Sequence, residues 1–125
     1  MTAHMPDAET LDALRAAPDA PIVMLNLIKF REPGGRDAYK RYGAIAATTV
    51  GESEGKIIFA GAAGAVLTGS DTDWDEVILV RFPSSAHFLR MVEGETYTEK
   101  AAPVRAEALE ATLWMAAHPY PGFEA

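Results

Sequence analysis

No cysteine occurs anywhere in the chain, which removes a disulfide framework, a thiolate nucleophile and a cysteine-based zinc site, and suits a reducing compartment. Histidine is nearly as scarce: His4, His87 and His118 fall in unrelated segments with no i, i+4 pair, so no metal site is expected. No apolar run approaches the ~18 residues of a membrane span, and the N-terminal "MTAHMPDAET" lacks a basic stretch leading into an apolar core. A soluble, cytoplasmic chain is the expectation. Bases are outnumbered, 11 against 18 acids, for a net charge of −7. Such a surface repels phosphate backbones, so nucleic acid and membrane are not expected partners. Internal repeats and low-complexity tracts are absent as well.

What remains is one domain's worth of apolar sequence, 125 residues at 49% hydrophobic content. "DAETLDALRAAP" spaces Leu11, Leu14 and Ala17 at helical intervals and stops at Pro18. "PIVMLNLIKF" is almost continuously apolar and ends at the turn "REPGG", which reads as a strand covered on both faces. "RDAYKRYGAIAATTV" puts Ala38, Tyr42, Ile45 and Thr49 on one helical stripe. "KIIFAGAAGAVLTGS" reads as a long strand bent at Gly61 or Gly64. "WDEVILVRFPSS" is another strand, and Ser84 or Ser85 caps a helix running through Val92. A short helix over residues 95–100 and a further piece opened by Pro103 and ending near Glu110 precede a last strand, "ATLWMAAH". Residues 1–20 thus form a lead-in, 21–118 the domain and 119–125 a tail.

That order, strand–helix–strand–strand–helix–strand, predicts an α+β fold of the ferredoxin-like βαββαβ type: a four-stranded antiparallel sheet with helices on one face. The other face poses a problem. The first strand carries Val23, Leu25 and Leu27 on one side and Met24 and Ile28 on the other, and the third strand repeats this with Val77 and Leu79 against Ile78, Val80 and Phe82. An exposed patch that size would exceed the ~300–600 Å² found on ordinary monomers, so a homodimer through the sheet faces is expected.

Four segments, "PIVMLNLIKFR", "GGRDAYKRYG", "WDEVILVRFPSSAHFLRMV" and the spacing of Tyr97, Pro103, Arg105 and Leu109, resemble the domain-of-unknown-function 1330 family within the dimeric α+β barrel superfamily. The resemblance implies the same fold, a face-to-face dimer and a cavity between sheet and helices. It implies no reaction, because that superfamily spans cofactor-free oxygenation, haem degradation, lactone isomerisation, peroxidase-type activity and ligand sensing. Haem-degrading relatives use a first-strand Asn, a helical Trp and a His ten residues later. Asn26 fits the first role, but Met91 and Ala101 stand at the other two, so no axial ligand for iron is present and no cofactor is expected.

Other motifs dissolve on inspection. "DTDWDE" alternates Asp71, Asp73 and Asp75 like a calcium loop, but Glu76 replaces the required glycine and Phe82 the bidentate Glu. "GAAGAVLTG" lacks phosphate-loop spacing, and "FPSSAH" lacks the glycines of a nucleophile elbow, leaving its serines as caps. Trp74 reads as a packing anchor, and His87, the one side chain with an ordinary pKa near neutrality, sits in an exposed first helical turn.

The candidate binding residues are Asn26, Lys29, Tyr42, Arg81, Tyr97 and Arg105, expected to converge on the cavity; no catalytic residue is assigned. Arg offers a planar fork to an anion and Tyr an apolar body with a donor at its tip. A buried, unpaired Asn26 costs roughly 1–3 kcal/mol, so it needs a partner in the protein or in a ligand. Arg81 has an alternative use in an ion pair with Glu76. Two functions fit: a cofactor-independent oxygenase or isomerase acting on a small polar or aromatic metabolite, or a non-catalytic homodimer that binds a metabolite or serves a structural role. The enzyme needs a cavity of about 300 Å³ or more; Met24, Met91, Met115 and the tyrosines could instead fill it.

Overall fold

The computed structural model describes residues 5–69 and 71–123; residues 1–4 with His4, Ser70, and the last two residues of the tail lie outside. Asp7 accepts the Thr10 N–H at 2.8 Å and so caps α1 (Ala8–Arg15), an amphipathic helix that buries none of its residues completely. Strand β1 (Ile22–Phe30) alternates strictly, with Ile22, Met24, Asn26, Ile28 and Phe30 buried and the residues between them partly exposed. Helix α2 (Gly35–Glu52) follows. Its first residue must be glycine, since a Cβ on Gly35 would lie 2.6 Å from the Ala108 carbonyl oxygen. Strands β2 (Lys56–Ala62) and β3 (Glu76–Phe82) come next, and Ser84 caps α3 (Ser85–Val92) as its sequence foretells.

The sheet order is β2-β3-β1-β4 with every neighbouring pair antiparallel, the ferredoxin-like arrangement. Register puts Asn26 between Ile78 of β3 and Trp114 of β4 (Leu109–Ala117), all three on the face covered by helices. That side holds the core, built from Ile22, Met24, Tyr42, Phe82, Phe88 and Tyr97 among others.

Three boundaries differ from those read in the sequence. The long bent strand is shorter: pairing ends at Ala62, because β3 begins only at Glu76 and Ala63 instead donates to the Asp75 carbonyl. Its bulge falls between Ile57 and Phe59, not at a glycine. The two helical pieces after residue 94 form one run, in which Tyr97–Ala101 is a wide π turn leading straight into α4 (Ala102–Ala108). Ala102 N–H reaches back five residues to the Tyr97 carbonyl. Pro103, which has no N–H to close the regular α bond, sits at the join. β4 begins two residues earlier than expected, and a register shift between Lys29 and Phe30 absorbs the difference.

The outer sheet face carries Val23, Leu25, Leu27, Val77 and Leu79 and, toward both edges, Phe59, Leu113 and Met115, which are 52%, 41% and 50% exposed.

Candidate functional site

Behind the sheet, three elements bring polar side chains into the apolar core. α2 supplies Tyr42 from its inward stripe, the π turn supplies Tyr97, and α4 supplies Arg105. The Tyr42 and Tyr97 hydroxyls lie 2.6 Å apart, with the rings edge to face. Arg105 is only 1% exposed. Its Nη2 donates to Thr112 Oγ1 at 3.3 Å, and its guanidinium carbon stacks 4.3 Å from the centre of the Trp114 ring. Thr112 passes the chain of bonds on, donating to the Leu27 carbonyl at 2.9 Å.

Asn26 faces the same region at 8% exposure, and its carboxamide makes no side-chain hydrogen bond to another of the described residues. The Trp114 Nε1–H is likewise buried without an acceptor. Both line a cavity of about 110 Å³, together with Tyr39, Tyr42 and Met91. Small or exposed residues, Gly43 and Ala47 of α2 and Ile57 of β2, form its opening to solvent. A second, larger space of about 340 Å³ lies beneath α1 and shares Met24, Phe88 and Trp114 with the first.

Burial sets the electrostatics. Desolvation raises the pKa of Tyr39, Tyr42 and Tyr97, with the Arg105 charge pulling the other way in each case. The tyrosines are therefore neutral donors at physiological pH. None of the described residues lining the cavity is Asp, Glu or His, so it offers hydrogen bonds to an oxygen but no conventional base.

The structure brings Asn26, Tyr42, Tyr97 and Arg105 to the helix side. Lys29 and Arg81 do not join them, because strand parity turns both to the outer face. Lys29 Nζ donates to the Asp73 carbonyl at 3.1 Å, while Arg81 stands level with Val23 and Lys56 with its Nε buried and unpartnered. The same parity separates Arg81 from Glu76, which faces the helices, so the ion pair considered from sequence does not form. Met24, Met91 and the tyrosines reduce the enclosed cavity below the expected 300 Å³, whereas Met115 points outward and takes no part. Thr112 and Trp114 were missed by sequence reasoning. Asn26 and Trp114 become legible as neighbours only with the β1–β4 register in hand.

The remaining motifs have structural duties. Asp75 Oδ2 accepts the Phe30 N–H at 2.9 Å, tying off the sheet, and no group of three metal-ligating side chains occurs among the described residues. Ser84 Oγ meets His87 Nδ1 at 2.7 Å in the cap of α3, and His87 Nε2 lies 3.3 Å from Glu54.

Comparison with known proteins gives the following. The family described as Domain of unknown function (DUF1330) matches residues 27–118. A protein of unknown function from Rhodopseudomonas palustris is similar at 31% identity, with 92% of this chain and 95% of that one covered and a TM-score of 0.84. More distant structures share the fold at 12% identity. One is a dimeric ferredoxin-like protein of unknown function from Bacteroides fragilis (TM-score 0.55; 78% of this chain, 94% of that one). Another is the hydroxynitrile lyase of Passiflora edulis (TM-score 0.60; 86% of this chain, 100% of that one). No curated protein matches. Among the described residues, no helix is long and apolar enough to cross a membrane.

Proposed function

Because this chain belongs to the Domain of unknown function (DUF1330) family, whose description names no reaction, we propose its function from its own cavity: a homodimer that binds a small polar or aromatic metabolite beside Asn26. The observation that carries this reading is the buried, unpartnered Trp114 N–H, lining one cavity with the Asn26 carboxamide, which makes no side-chain hydrogen bond among the described residues, and the neutral Tyr39 and Tyr42. A buried orphan donor such as the Trp114 N–H costs about 1–3 kcal/mol in an empty protein, a cost that a ligand oxygen removes. Donors fixed around one oxygen also stabilise negative charge developing there. That suits a cofactor-independent isomerase or oxygenase whose substrate, an enol or phenol, binds neutral and loses its proton to solvent water as charge develops on the oxygen, since the cavity lining provides no base. Shared fold does not choose between those chemistries.

The homodimer rests on the outer face. Phe59, Leu113 and Met115 stay about half exposed in one copy, flanking the Leu25 and Leu79 pair at the centre of the sheet. Sheet-on-sheet packing across a two-fold axis covers this surface and leaves the helix-side cavity open.

A second reading, non-catalytic metabolite binding, is favoured by the 110 Å³ volume and the missing base. A thermal-shift screen with phenols, small acids and quinones tests both readings, followed by Asn26→Ala and Arg105→Ala on each hit. Hits abolished by Asn26→Ala support the site; hits indifferent to both changes overturn it. Turnover of a bound compound, followed as oxygen uptake or solvent deuterium incorporation, separates enzyme from binder.

A further inference from the structure

The space under α1 differs in kind from the inner cavity. Its floor is Thr112 and Trp114, and its roof is Pro6, Asp7, Thr10 and Leu14. Its volume, about 340 Å³, falls within the range of small-molecule sites, roughly 300–1,000 Å³, while the inner cavity holds little more than a ligand's polar end. Met24, Phe88 and Trp114 line both spaces, so a molecule seated in one lies against the side chains that bound the other.

The roof is lightly attached. α1 has no fully buried residue, and besides the partial packing of Leu11 and Leu14 it is held by the fork of Arg15 on Glu93, at 2.7 and 2.9 Å, on the solvent side. Exposed ion pairs contribute little to stability, so α1 is held mainly by the packing of Leu11 and Leu14 on the core. Asp7, in the roof, is the one charged residue among those lining the cleft and repels anions at its mouth, while the Arg105 guanidinium behind the floor is already engaged by Thr112 and the Trp114 ring.

We propose that this cleft is a second binding compartment, roofed by α1, which takes the aromatic body of an uncharged ligand whose polar end lies toward Asn26. The proposal deepens the cavity reading by naming the substrate class, and rests on it for the polar end alone.

Calorimetric titration of the whole protein with 2-naphthol, 2-naphthoate and phenol tests it, in the native chain and in three variants. Thr10→Phe fills the cleft from the roof and Ala116→Phe from the floor, so that misfolding of one leaves the other. Expected are binding of 2-naphthol at least ten-fold tighter than of 2-naphthoate, and its weakening at least ten-fold by either filling variant, with phenol affinity changed less than two-fold. Absence of 2-naphthol binding, equal binding of the naphthoate, or indifference of 2-naphthol to the folded filling variants overturns the proposal. The third variant, Asn26→Ala, addresses the inner cavity separately: if it leaves phenol unaffected while the filling variants block 2-naphthol, the cleft stands and the cavity reading falls.

Discussion

Asn26 lies level with Trp114 across the β1–β4 pairing, the Trp114 N–H buried without an acceptor and the Asn26 carboxamide without a side-chain hydrogen bond among the described residues. A pair kept for packing alone would be better served by two apolar residues. Asn26→Leu is therefore expected to leave the unliganded protein at least as stable while abolishing ligand binding. Urea unfolding measures the first and the thermal-shift screen the second. A loss of stability would mean that the carboxamide is already satisfied.

The Tyr42–Tyr97 bond is buried, and Tyr97→Phe leaves the Tyr42 hydroxyl with Arg105 as its remaining side-chain partner. A cost of roughly 0.5–1.5 kcal/mol is expected from chemical denaturation.

Alkaline pH tests the same cluster. Burial first, and Arg105 in opposition, leave Tyr39, Tyr42 and Tyr97 with raised pKa values. A group whose folded pKa is raised contributes stability that is complete below its unfolded value, about 10 for tyrosine, and lost as pH climbs through the folded one. Tyrosinate absorbance should therefore rise for these three residues only together with unfolding, above pH ~10.

Much of the fold was legible in the sequence. "PIVMLNLIKF" announced a strand, the Ala38–Tyr42–Thr49 stripe announced the inward face of α2, and Ser84 announced the cap of α3. The site was legible only in part, because two apolar faces conceal parity: Lys29 and Arg81 look like cavity residues until the alternation is counted from Ile22 and Phe82, the buried ends of their strands. Trp114 was hidden for a different reason. Its neighbour across the sheet depends on the shift between Lys29 and Phe30, which no local pattern encodes.

Acid should loosen the roof of the cleft. The Arg15 hydrogen bond lowers the Glu93 pKa, so the pair's contribution is present above the ordinary carboxylate range and lost as pH falls through the lowered value. Amide exchange in α1 is expected to quicken below pH ~4.5 while exchange in β1 stays slow.

Charge on the outer sheet face should split the homodimer proposed above, and would leave the mass unchanged if that face is not the interface. Phe59→Glu or Leu113→Glu places a carboxylate where a second copy would exclude water, and light scattering should then report half the native mass.

Glycines give a control for stability. Gly43 lies in α2 with nothing within 4 Å of an added Cβ, so Gly43→Ala should stabilise by about 0.5–1 kcal/mol. Gly35→Ala, aimed at the Ala108 oxygen, should cost at least ~1–3 kcal/mol.

The wide turn at Tyr97–Ala101 holds one residue more than an even spiral would use. That surplus sets the phase between Tyr97 and everything after it. Deleting Thr98 would let the spiral close at its normal pitch and swing Tyr97 by about 100° relative to Arg105. The two phenols would then lose each other with no aromatic ring removed.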